Sequence, residues 1–191
     1  MTSTPRVPAL EITGLYGTAV KTFSKKMFGK VPESLGVLWN NPAVLKFSMT
    51  LGQKSSRWHA CDEDLKSYAH MAAASLIGCS WCLDLGYFQA HNEGLDLTKA
   101  REVPRWRESD VFTPLEREVL EYAEAMTATP PTVTDEMVAH LIEQLGSPAV
   151  VELTQMVALE NMRSRFNSAA GLQSQGYSDV CELPLAVPST V

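Results

Sequence analysis

Cysteine is scarce in this chain of 191 residues: Cys61, Cys79, Cys82 and Cys181 are all there is. Four, irregularly spaced, exclude the dense cross-bridged framework of a small secreted domain. Clusters of Lys and Arg with interleaved aromatics are also missing. Sixteen basic against 22 acidic residues leave a net charge of −6, which argues against nucleic acid or an anionic membrane surface as the partner. No apolar run reaches the roughly 18 residues that a membrane-spanning helix needs. The opening "MTSTPRVPALEI" lacks the apolar stretch of a secretory signal. Strand signals are absent too: there is no sustained alternation, no hairpin dipeptide between β-branched runs and no internal repeat. These absences predict an all-α protein in a reducing, cytoplasmic compartment. In that setting a close cysteine pair is chemical or metal-binding rather than a static staple.

What is present reads almost everywhere as helix. A composition of 45% hydrophobic and 20% charged residues is that of an ordinary globular protein. We expect a single domain over 1–191, with its core at about 15–172 and irregular termini. Residues 15–28 place Ala19, Val20, Phe23, Met27 and Phe28 near one face, with Gly29 as the stop. Two shorter segments, 34–40 and 42–51, flank "NNP", where Pro42 can open the second. Asp62 caps a helix that Gly78 closes, and another runs from the Cys79–Cys82 pair to about His91 or Asn92. "TPLE" at 113–116 is a capping box for the helix carrying Leu115, Val119, Tyr122, Ala123 and Met126. After the loop 127–134, residues 135–145 should bury Val138, Leu141, Ile142 and Leu145. "SP" at 147–148 then opens a last long helix to Ala170, stopped by Gly171.

The stretch "LIGCSWCLDLGYFQAH" (76–91) carries the chemistry. If residues 79 onward are helical, Cys79 and Cys82 share a face of the first turn, and their Cα atoms lie about 5–6 Å apart, within disulfide range. The unsatisfied N–H groups and positive dipole end of a helix start favour thiolate over thiol. One cysteine can then be oxidised to a sulfenic acid and the other can resolve it as a disulfide. Other readings compete. Two cysteines can be plain buried fillers. His59 and Cys61 with the pair make H-x-C-x17-C-x2-C, near a zinc spacing, although the helix after Asp62 would hold the halves roughly 20 Å apart. A thioredoxin-type dithiol needs a βαβ context that is missing here.

"LKSYAHMAAASLIGCSWCLD" (65–84) resembles the signature of the carboxymuconolactone decarboxylase superfamily, in particular its alkylhydroperoxidase D-like branch. "FTPLEREVLEYAEAMT" (112–127) is similar to the next helix of that pattern. "LTQMVALENMRSRFNSAAGL" (153–172) resembles its closing helix, with Asn161, Arg165 and Asn167 in the polar positions. The resemblance covers about residues 40–172. It implies an all-helical fold assembled as a trimer or hexamer, and a dithiol at Cys79 and Cys82 that reduces hydroperoxides. It further implies recharging by a lipoyl- or thiol-bearing reductant, and Cys82 as the thiol that meets the peroxide. No metal or other cofactor is expected. The relay glutamate and histidine of the peroxidase members fall here on Ser67 and Gly86, neither of which is a base.

With no base at 67 or 86, neighbouring residues are the candidates for that role. His70, three residues after Ser67, has an imidazole suited to general-base duty, against the plainer reading of a satisfied core histidine. Asp84 lies on another face from Cys82, and its charge would raise a nearby thiol's pKa. His91 is more than two turns from Cys82, and Trp81 packs or shapes entry. Arg163 and Arg165 read as an anion clamp or, preferably, as ion pairs with Glu152 or Glu160 or a subunit contact. Cys61 and Cys181 read as buried thiols. Three functions follow: a thiol peroxidase with a rerouted relay, a non-catalytic or redox-sensing helical oligomer, and a lactone decarboxylase-type lyase, which gives the cysteines no task.

Overall fold

The computed structural model describes residues 4–181 and 183–186, and these form an all-helical protein. The α-helices are α1 (Gly14–Phe28), α2 (Glu33–Leu38), α3 (Pro42–Ser55), α4 (Glu63–Ile77), α5 (Ser80–Glu93), α6 (Leu97–Ala100), α7 (Pro114–Thr127), α8 (Asp135–Leu145) and α9 (Ser147–Ala170). Short 3₁₀ turns lie at Val103–Glu108 and Ser178–Val180. Local chemistry sets the boundaries. Asn41 and Asp62 cap α3 and α4 through their side chains. Thr113 and Glu116 form the reciprocal capping box of α7. Helices α1, α4, α5 and α9 stop at left-handed glycines.

Helix α4 is the hub, packing against α5, α7 and α9. Its Ala69, Ala72, Ala73 and Ala74 are fully buried. Side chains this small let neighbouring helices approach closely, while Tyr68 and Met71 fill the space between them. A buried ion pair, Lys66 Nζ to Glu152 Oε1 at 2.7 Å, ties the start of α4 to α9. Asn161 on α9 donates to Thr127 Oγ1 at the end of α7, 2.8 Å away. The packing of α4, α7 and α9 therefore fixes which residues of α9 face the cysteines.

Three expectations are corrected. Helix α3 runs four residues past position 51, to Ser55, because its start at Asn41–Pro42 is strong and nothing between 51 and 55 breaks it. In α1 the buried residues are Gly17, Val20 and Ser24, while Phe23 and Met27 face solvent. Gly17 is buried because Ile12 and Trp39 press on it, so that face goes inward and the more apolar one is left outside. Ile142 of α8 is exposed, since it borders an open groove of about 330 Å³ with Tyr122, Val138 and Val151. Residues 95–108, which carry no strong sequence signal, form α6 and the first 3₁₀ turn. Among the described residues no helix is long and apolar enough to cross a membrane.

Candidate functional site

The turn between α4 and α5 builds the site. Gly78 adopts φ +76°, so the N–H groups of Gly78 and Cys79 donate to Ser75 O and Ala74 O, each at 3.0 Å. This satisfies carbonyls at the end of α4 and starts α5 at once. Cys79 is the N-cap of α5 and lies just outside its first turn: its Sγ accepts from the Cys82 N–H at 3.2 Å. Cys79 and Cys82 form a disulfide with Cα atoms 5.3 Å apart. Both are buried, at 2% and 3% exposure, against Ala74, Trp81 and Leu83. The sulfurs thus sit at the electropositive start of a helix, where a thiolate is favoured once the bond is reduced.

Helix α9 closes the other side. Asn167 Nδ2 donates to Cys82 Sγ at 3.2 Å. One turn back along the helix is Ser164, whose hydroxyl donates to Glu160 Oε1. The second carboxylate oxygen of Glu160 lies 3.2 Å from His70 Nε2 on α4. His70 packs over Gly86: a Cβ at position 86 would stand 3.3 Å from the imidazole Cδ2 and 3.4 Å from Nε2. The ring therefore leaves room at 86 for at most a methyl group, and for that only with a shift of a few tenths of an ångström. Burial holds the His70 pKa below its ordinary 6.5; Arg163 pushes in the same direction and Glu160 opposes. Ser67 is half-buried on α4, and among the described residues no hydrogen bond joins it to His70, Glu160 or the cysteines.

Asp84 has a different task. It is buried, and its carboxylate accepts from the backbone N–H groups of Gln175, Tyr177 and Ser178 at 2.9, 3.1 and 2.7 Å, and from the Ser178 hydroxyl at 2.7 Å. Burial pushes its pKa up, but the Ser178 hydroxyl and the N–H donors outweigh that, so the carboxyl stays below its ordinary value. The segment it anchors lies beside the disulfide. Trp81 Nε1 donates to Gln175 Oε1 at 3.2 Å, and Ser174 N donates to Ser80 Oγ at 3.2 Å. Trp81 in turn packs on Val37, Ala170 and Leu172 as well as on the cysteines.

The remaining candidates lie elsewhere. His59 pairs with Glu63 at 3.2 Å, and among the described residues no three His, Cys, Asp or Glu side chains converge as a metal ion would require. Cys61 is a buried free thiol whose pKa burial pushes up to about 11, with Lys66 opposing. Cys181 is only half-buried and also free. The expected arginine ion pairs are not formed among the described residues. Glu152 is taken by Lys66 and Glu160 faces His70, while Arg165 donates to Thr127 O and Thr129 Oγ1. His91 lies in the last turn of α5, away from the cysteines at its start.

An all-helical subunit with a C-x-x-C disulfide at a helix start, faced by a polar stripe on a neighbouring helix, is the class that fold and site define. The model of the carboxymuconolactone decarboxylase family matches residues 42–125. The uncharacterized protein YnjA of Escherichia coli strain K12 is 33% identical over 137 residues, 72% of this chain and 74% of that protein. Among solved structures, the alkylhydroperoxidase AhpD core of an uncharacterized peroxidase-related protein from Ralstonia eutropha JMP134 matches with a TM-score of 0.81 at 13% identity, covering 96% of this chain and 100% of the other. The debrominase Bmp8, in complex with 2,3,4-tribromopyrrole, matches with a TM-score of 0.80 at 19% identity, covering 94% and 95%. At such identities these structures share the fold. The chain belongs to the carboxymuconolactone decarboxylase family.

Proposed function

We propose that this protein is a thiol-dependent peroxidase that reduces hydroperoxides with the Cys79–Cys82 dithiol. The observation that carries the reading is the pair itself: two sulfurs bonded to each other at the N-terminus of α5. In the reduced state the Cys82 thiolate attacks one peroxide oxygen. The O–O bond breaks, Cys82 becomes a sulfenic acid, and the alkoxide leaves with a proton as an alcohol. Cys79 then attacks the Cys82 sulfur, the S–O bond breaks, and water leaves as the disulfide forms. Two electrons and two protons pass from the dithiol to the hydroperoxide. An external dithiol, free or carried as a lipoyl group on a protein, returns them by thiol–disulfide exchange.

The test is hydroperoxide consumption in the presence of a dithiol reductant. The wild-type protein turns over, and Cys82→Ser does not. Consumption by Cys82→Ser at the wild-type rate would remove the cysteine pair from the reaction. Turnover of a brominated pyrrole with none of a hydroperoxide would keep the dithiol and change its substrate to that of the debrominase neighbour.

A further inference from the structure

Thiol chemistry at neutral pH needs a group that accepts the proton of the attacking thiol and returns it to the leaving oxygen. Among the described residues, the side chains opposite the disulfide on α9 make no hydrogen bond or ion pair outside this group. Glu160, Ser164 and Asn167 recur at i, i+4 and i+7, one stripe along the helix, and are 1%, 0% and 5% exposed. One end of the stripe touches the Cys82 sulfur through Asn167. The other end holds a fully buried carboxylate against His70. A carboxylate at that depth costs stability unless its neighbours hold it. The electrostatic fastening of α4 to α9 is already made elsewhere, by Lys66 and Glu152.

We propose that α9 supplies the proton-handling half of the site: Asn167 selects Cys82 as the attacking thiol by hydrogen-bonding its sulfur, and His70, held by Glu160, takes that thiol's proton and gives it back. The identity of the substrate rests on the peroxidase reading; the acidity of Cys82 does not. Asn167 touches the reacting sulfur and so is a catalytic residue. Glu160 acts through His70 and is a positioning residue. His70 sits over Gly86, four residues or about 6 Å beyond Cys82 along α5, so the proton crosses through a water or through the peroxide. In the forward step the S–H proton moves to His70, which becomes an imidazolium paired with the Glu160 carboxylate. When the O–O bond breaks, the same proton passes to the departing alkoxide. The groups facing His70 are Glu160 and Arg163 from α9, and Gly86, which has no side chain, from α5.

The arrangement makes a prediction of sign. Simple removal of a negative charge near a thiol lowers its pKa. If Glu160 instead stabilises the imidazolium that balances the thiolate, its removal raises the pKa. Cys82 is titrated by thiolate absorbance in the reduced full-length Cys79→Ser protein, in which burial holds Cys61 up at about 11 and also raises Cys181. Added to that background, Glu160→Gln and His70→Gln each move the titration upward by roughly one unit, a tenfold loss of thiolate below the midpoint. Asn167→Ala does the same by removing the donor to sulfur. Melting curves, with Cys61 unreactive until the protein unfolds, show that each variant is folded. In the Cys79-containing protein, Glu160→Gln lowers kcat/KM for hydroperoxide about a hundredfold or more, and Glu160→Asp recovers part of it. Titrations that superimpose on the parent, or move downward in Glu160→Gln, overturn the assignment. Raised titrations in a protein that consumes no hydroperoxide leave it standing and overturn the peroxidase reading alone.

Discussion

At the scale of single residues, Gly86 and His70 explain one another. A relay histidine is expected from the family pattern at position 86, yet the imidazole over that spot comes from α4. The pairing of the two cysteines was legible in the sequence as a local pattern, a C-x-x-C at a helix start, and His70 stood out there as a titratable side chain in an otherwise apolar helix. Glu160, Ser164 and Asn167 were not legible as a site. Their spacing marks a polar stripe, but its facing of α4 and α5 depends on packing that no local spacing encodes. Gly86→Ala tests the pairing of 86 with 70. Alanine gains up to about 1 kcal/mol of helix propensity over glycine, and its Cβ would meet His70 at 3.3 Å, so the ring must shift by a few tenths of an ångström. We expect a melting temperature unchanged or slightly raised, together with slower dithiol oxidation by peroxide. Wild-type kinetics in Gly86→Ala would show that the ring's position is unimportant.

At the scale of elements, the helix boundaries followed from caps and stops where the sequence carries them, which are local chemistry; Asp62, Thr113, Gly78 and Gly171 act where the sequence places them, while α2 and α3, with no such stop, end at Leu38 and Ser55 rather than at 40 and 51. The misreading of α1 has the opposite origin. Periodicity shows which face is more apolar, while burial is decided by which neighbour can approach, and here that is the Gly17 face. The 172–180 segment reads as irregular from its sequence, and its fastening to Asp84 was invisible there because the donors are backbone N–H groups nearly a hundred residues away. That anchor sets a pH dependence. The Asp84 carboxyl is held below its ordinary 3.8 in the folded protein. Its contribution is therefore fully present above that ordinary value and is lost as pH falls through the lower folded value. Glu152 shifts in the same direction: burial raises its pKa, but Lys66 and the Ala60 N–H more than offset that. Asp84→Asn removes the charge behind several hydrogen bonds and should cost about 2 kcal/mol at neutral pH. The difference from wild type should shrink as pH falls below 4, measured by chemical denaturation. A difference constant from neutral pH to pH 3 would contradict this role.

At the scale of the whole molecule, the all-helical architecture was legible because nothing in the chain alternates and every long segment carries a cap or a stop. The family resemblance drew on the same residues. The family model ends at 125, before α9 begins, so the α9 residues proposed for the site lie outside the matched span. Assembly is a proposal of the same scale: we propose that the protein works as a trimer or hexamer. Leu15, Phe23 and Met27 on α1, Phe47 on α3, and Met162 and Phe166 on α9 are all exposed on the single chain, and exposed apolar surface of this kind marks protein contacts. Light scattering should return three or six times the 21.0 kDa chain mass, and a monomer at micromolar concentration would contradict it. The central claim concerns the cysteines, and thiol counting reaches it most directly. The fully reduced protein carries four thiols. One equivalent of an alkyl hydroperoxide should leave two, with peptide mapping locating the new disulfide at Cys79–Cys82 and finding Cys61 and Cys181 free. Four thiols surviving that treatment, or a bridge formed elsewhere, would contradict the account.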